Sequence, residues 1–249
     1  MPSSVDLFWL PLGAGGHSVR LNGRIFEAMV ARLEKRPTKD LYHSALVVRV
    51  PEGEFVIEQA PISDGNGELR GVVAEGAVGS RRARSLRIFR YEIRRWRDGV
   101  IPDVDEAVGG PQRLTDDPDV ARRFLELVYD VPTPVWGRDE LRTGEMWNSN
   151  SVISWLITRS GLAVEPVHPP AGGRAPGWDA GVVVARRHET PDSLRPPMRL
   201  RSCIPRRQRQ WSELLAPALI LRSACRSALV RSRSASSKVA RSRSSSAGR

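Results

Sequence analysis

The residues whose types and spacing could do chemistry are a histidine in a strand pattern and a serine at a helix start. His43 sits in Tyr42-His43-Ser44-Ala-Leu-Val-Val, an apolar run of strand character. Ser149 sits in Trp147-Asn148-Ser149-Asn150-Ser151, directly before Val152-Ile153. A helix N-terminus lends a nucleophile its free N–H groups and the positive end of the helix dipole. These lower the nucleophile's pKa and can hold an oxyanion, while a nearby imidazole takes the proton. The chemistry this pairing supports is attack on an amide or ester carbonyl. Glu58, in the run Phe55-Val-Ile-Glu58, is the candidate to orient the imidazole. A two-residue turn at Glu52-Gly53 would put Glu58 and His43 on one sheet face, but with Val47 directly opposite Glu58. The four-residue offset amounts to about 13 Å. Ser151 is the alternative nucleophile, in a poorer frame because Ser154 stands three residues on. Trp147, Asn148 and Trp178 are the candidate substrate-binding residues. Each position also has an ordinary role open to it: Asn148, Ser149, Asn150 and Ser151 are all good helix caps, and a half-buried histidine is common in a strand.

The elements that must position these residues read as short strands with a few helices. Val5–Leu12, Leu41–Val50, Glu54–Ala60, Gly71–Ala77, Leu86–Trp96 and Ala180–Ala185 have strand character. Pro51-Glu52-Gly53 joins two of them as a hairpin, and Asp64-Gly-Asn-Gly67 marks another turn. Asn22 can cap a helix from about Gly23 to Arg36, with Ile25, Met29 and Leu33 on one stripe and Pro37 at its end. Asp117-Pro118 opens a helix to about Tyr129, with Asp as cap and Pro in the first turn. A short apolar helix follows the 148–151 cluster and stops at Gly161. The Gly/Pro loop Pro169–Gly177, with Trp178 after it, is of the kind that borders clefts. Hairpin-linked strands and helices in this order predict one α+β domain over residues 1–190.

Strand histidine first and helix-start nucleophile later is an order that resembles the NlpC-type papain-like hydrolases, in their circularly permuted, lecithin retinol acyltransferase-like branch. In that branch the base His lies on an early strand. The nucleophile is a Cys, often preceded by Asn and followed by two residues and an apolar pair. Asn148-Ser149-Asn150-Ser151-Val152-Ile153 is similar to that frame, with Ser in the Cys position. The resemblance spans about residues 41–160 in two short motifs. It implies a papain-like antiparallel sheet with a few helices, and a hydrolase or acyltransferase with Ser149 as nucleophile and His43 as base. A serine hydroxyl lacks the intrinsic nucleophilicity of a thiol and needs a well-aligned base. The replacement therefore also allows a catalytically inactive binding protein of the same fold. The expected substrate is a small molecule, a peptide or a lipid.

Other chemistry is largely excluded. The four histidines include no i, i+4 pair, so no metal site is expected. Gly13-Ala-Gly-Gly16, followed by His17, lacks a Gly-Lys-Ser/Thr ending, and no lysine precedes Lys35, so it reads as a tight turn rather than a phosphate loop. No cofactor is expected. The start Met-Pro-Ser-Ser-Val-Asp has no basic, apolar leader pattern and no stretch reaches ~20 apolar residues, so the expected location is cytoplasmic. Arg81 to Arg97 places eight arginines among Phe89, Tyr91 and Trp96, a pattern open to an anion groove or to a neutralised strand face.

The charge of the 249-residue chain is +11, from 39 basic and 28 acidic residues. Residues 199–249 hold 13 basic residues and one acid, Glu213, leaving 26 basic and 27 acidic residues for 1–198. The domain is thus near neutral, and the excess lies in the tail 191–249, which also holds both cysteines, Cys203 and Cys225. Its Arg/Ser run from 231 onward predicts disorder, and nucleic-acid binding would enter only through its phosphate-seeking arginines. Deleting residues 199–249 is expected to leave the thermal midpoint unchanged, measured by calorimetry on both lengths. A substantial loss would show that the tail packs on the domain.

Overall fold

The structure, a computed structural model, describes residues 2–12, 31–32, 35, 37–62, 71–101 and 104–189. The Gly13–Gly16 turn, His17, most of the helix expected from Gly23 to Arg36, the 64–67 turn and the tail beyond 189 lie outside the described residues. Those described form an α+β fold: β1 (Ser4–Pro11), β2 (Tyr42–Val50), β3 (Gly53–Pro61), β4 (Val72–Ala77), β5 (Arg90–Arg97), β6 (Gln112–Thr115), α1 (Pro118–Leu127), α2 (Ser149–Arg159) and α3 (Trp178–Glu189). The strands make one sheet in the order β4-β5-β3-β2-β1-β6, and every neighbouring pair is antiparallel. None of the helices described is long and apolar enough to cross a membrane.

Both faces of the central strands are apolar, and alternation sorts them. Val5, Leu7 and Trp9 of β1, Tyr42, Leu46, Val48 and Val50 of β2, Phe55 and Ile57 of β3, and Tyr91 and Ile93 of β5 share one core with all three helices. Phe8, Leu10, Ala45, Val47 and Val56 form a smaller cluster on the opposite face, with Ile101 against it. The large face is helix-covered, and α2 is its central helix: every residue from Ser149 to Ile157 is buried, the polar ones included. A helix with four β-branched residues, Val152, Ile153, Ile157 and Thr158, gains little from propensity, so its stability comes from packing and from its cap.

The hairpin between β2 and β3 turns at Pro51-Glu52, with Val50 opposite Gly53, rather than at Glu52-Gly53. Proline fixes the first turn position, and Gly53 takes a φ of 142° that other residues avoid. The register moves accordingly: Val47 faces Val56, and the ladder stops at Leu46–Ile57. Past that point β2 continues only with β1, to Pro11–Tyr42, and β3 continues with β5, to Pro61–Tyr91. The two strands part where His43 and Glu58 lie.

Other expectations shift in instructive ways. Leu86–Trp96 begins as 3-10 turns, and the strand starts at Arg90. The short polar edge strand β6 has no sequence signal. Ala180–Ala185, read as a closing strand, is the middle of α3. Its Gly181-Val-Val-Val run favours a strand locally, but a short apolar run fits either element. Tertiary packing decides it: a Cβ at Gly181 would collide with the Ser151 carbonyl oxygen and Ser154 Oγ, so α3 lies directly on the backbone of α2. Ser154 Oγ donates to the Trp178 carbonyl at 2.6 Å across the same contact. Gly181→Ala, harmless in an isolated helix, is therefore expected to destabilise the protein by about 1–3 kcal/mol, read from urea denaturation midpoints at unchanged slope.

Candidate functional site

The start of α2 is built by its own polar residues. Asn148 is the cap: its Oδ1 accepts from Asn150 N–H at 2.9 Å and Ser151 N–H at 3.4 Å. Ser151 completes a capping box, its Oγ accepting from Asn148 N–H at 3.0 Å and donating to the Gly177 carbonyl at 2.7 Å. Ser151 is fully buried (0% exposed), with donor and acceptor both used. That removes the open hydroxyl an alternative nucleophile there would need. Asn148 Nδ2 donates to the Pro176 carbonyl at 2.8 Å. The cap is thus also the clamp on the loop ahead of α3.

Asn150 fixes the helix to the sheet. Its Oδ1 accepts from Ser44 Oγ at 2.8 Å, and its Nδ2 donates to the carbonyls of Tyr42 and Pro176, each at 3.0 Å. Beside it, Tyr42 N–H donates to the Arg174 carbonyl at 2.8 Å, so the 169–177 loop runs along the start of β2. Glu145 holds the Gly177 N–H at 2.8 Å, and burial raises its carboxyl above the usual range. Trp178 stacks obliquely on Trp9, centroids 5.1 Å apart.

Ser149 stands apart from these neighbours. It is the first residue of α2 and 8% exposed, yet among the described residues neither its hydroxyl nor its N–H has a hydrogen-bond partner. Asn148, Asn150 and Ser151 absorb the structural roles a cap cluster provides, and Ser149 is left over. Trp147, two residues before it, is buried with its indole N–H unpartnered.

His43 belongs to the opposite face by alternation. Tyr42 and Ser44 turn toward α2, whereas His43 pairs across β1 with Leu10, a member of the smaller cluster. No hydrogen bond joins its ring to Ser149 among the described residues. Burial alone drives its pKa down to about 4, so the imidazole is neutral at pH 7. Glu58 shares that face but not that partner. Extending the hairpin register would set it opposite Ala45, two residues and about 7 Å from His43. Its Oε1 instead accepts from Arg94 Nη1 at 2.8 Å. Arg94 also donates to Glu92 at 2.5 Å, and all three charges are buried. Desolvation nonetheless holds the Glu58 carboxyl above its usual range, against the pull of Arg94. The expected orienting role of Glu58 thus gives way to a buried ion cluster, which no sequence spacing announced.

Part of the arginine-rich segment is paired with acids. Arg81 pairs with Glu140 at 2.8 Å, Arg90 with Glu75 at 3.2 Å and Arg94 as above. Arg95 lies over the rings of Phe55 and Tyr129. Among the described residues no cluster of three His, Cys, Asp or Glu could hold a metal ion.

A histidine whose folded pKa lies near 4 binds its proton more weakly folded than unfolded. Its contribution to stability is complete above about pH 6.5 and is lost as pH falls toward 4. Glu58 and Glu145, with raised values, act in the opposite sense, so the comparison must be against a variant. His43→Gln is expected to flatten the rise in stability between pH 4 and 6.5 by on the order of 2 kcal/mol, measured by denaturant titration at each pH.

No known protein family, curated protein or solved structure matches the chain.

Proposed function

We propose that the chain is a papain-like hydrolase or acyltransferase of the permuted NlpC type, acting on an amide or ester carbonyl, with Ser149 as nucleophile and His43 as base. The observation that carries this reading is the unused Ser149. In a cluster where three of four consecutive polar side chains are committed to building the helix start, the residue in the nucleophile frame keeps its hydroxyl and N–H uncommitted. A hydroxyl left uncommitted at a helix N-terminus is available to a bound molecule.

In this reading Ser149 Oγ attacks the carbonyl carbon and passes its proton to His43. The charge developing on the carbonyl oxygen faces the positive end of α2 and the Ser149 N–H, the one first-turn N–H that the Asn148 cap does not take. His43 returns the proton to the leaving nitrogen or oxygen. Water, or a second acceptor, then takes the acyl group from Ser149. To meet Ser149 the imidazole must cross from the opposite face through the opening where β2 and β3 part, where no ladder hydrogen bond to β3 stands in the way. A neutral imidazole is the protonation state a base requires at pH 7.

A second reading, a binding protein of the same fold without turnover, is favoured by the absence of a Ser149–His43 hydrogen bond and by the commitment of Glu58 to Arg94. A fluorophosphonate probe separates the two. Catalysis predicts labelling of the full chain at Ser149, lost in Ser149→Ala and slowed about 100-fold or more in His43→Gln. A wild-type protein that resists labelling, while Ser149→Cys is readily alkylated at that site, supports binding alone.

A further inference from the structure

Gln59 is the least explained side chain in the fold. It lies on β3, 5% exposed, and among the described residues both its amide nitrogen and its amide oxygen are buried without a hydrogen-bond partner. Leaving one such group unmet costs about 1–3 kcal/mol, and an amide in mid-strand is easily replaced by an apolar residue of similar size. A side chain that keeps two unmet groups is therefore placed for something outside the free protein.

Its position says what that is. Gln59 pairs across β5 with Ile93 and follows Ile57 at the strand period, so it faces the α2 side of the sheet. The hairpin register, extended past Leu46–Ile57, sets it opposite Ser44, whose hydroxyl holds Asn150 in the first turn of α2. Gln59 thus lies at the parting of β2 and β3, on the face where Ser149 begins its helix. Trp147, in the same core, adds a second orphaned donor.

We infer that Gln59 is a substrate-positioning residue whose side-chain amide reads a peptide group. Nε2 donates to a carbonyl oxygen, and Oε1 accepts from an amide N–H. The pair of orphans carries the choice of class. An ester or a lipid acyl chain offers acceptors only and would leave Oε1 unmet, whereas a peptide offers a donor and an acceptor together. The inference rests on the reading of Ser149 as the reacting residue and narrows its substrate from amide-or-ester to peptide amide.

The test uses full-length Ser149→Ala protein, so that binding is measured whether or not Ser149 is catalytic. The probes are N-acetyl amino-acid N-methylamides covering apolar, polar and charged side chains, and their acetoxy-acid methyl ester counterparts, which keep the carbonyls and lack every N–H. Binding is followed by the side-chain amide resonances of Gln59 in 15N-edited NMR, assigned by their loss in Gln59→Met. At least one amide is expected to shift these resonances and to bind tenfold or more tightly than its ester. Gln59→Met is expected to abolish that preference while holding or raising the thermal midpoint, because it removes two unmet groups. Equal binding of amides and esters, no binding by any amide, or a clear drop in the thermal midpoint of Gln59→Met would each overturn the inference. Failure of fluorophosphonate labelling alone would overturn only the catalytic reading of Ser149.

Discussion

Everything at the candidate site depends on one buried amide, that of Asn150. Through Ser44 Oγ, the Tyr42 carbonyl and the Pro176 carbonyl it joins three separate parts of the chain: the first turn of α2, the beginning of β2 and the loop that leads into α3. In water each partner would find other hydrogen bonds at little cost. In the interior each would cost about 1–3 kcal/mol if left unmet. The network is therefore nearly all-or-none, and it sets where α2 begins. Because helix N-termini present free N–H groups within a single turn, fixing the first turn also fixes the direction in which Ser149 presents its own.

The helix side of the sheet and its reverse solve the burial of polarity differently. On the helix side, neutral amides and hydroxyls meet backbone carbonyls. On the reverse, charge meets charge: Asp6 is held between Arg113 at 2.6 Å and Arg49, and Arg94 lies between two glutamates. Such clusters contribute little net stability against apolar alternatives, but breaking one leaves an uncompensated buried ion. Glu58 is bound into this arrangement, which explains why a carboxylate one diagonal from His43 is not its partner.

Much of the fold was legible in residue order. The β2–β3 hairpin follows from two apolar runs around a proline turn, and α1 follows from Asp117-Pro118, where Asp117 caps Asp119 N–H at 2.8 Å. The start of α2 was legible too, although only the structure divided the labour among Asn148, Asn150 and Ser151. What escaped was set by distant packing. The Gly181-Val-Val-Val run carries strand propensity, and its helical state depends on a close approach to α2 that no local pattern encodes. The one-residue shift of the hairpin turn altered which residue faces Glu58. Gln59 gave no signal at all, because an amide in a strand resembles any other polar residue until its surroundings prove empty of partners.

The parting of β2 and β3 has a mechanical consequence. Eight residue pairs tie β2 to β1 and seven tie β3 to β5, but only five tie β2 to β3, all at the turn end. The sheet is thus two three-stranded leaves sharing a short spine. Both apolar cores run across the two leaves. Beyond Leu46–Ile57 it is therefore side-chain packing, not ladder hydrogen bonds, that holds the leaves at their angle.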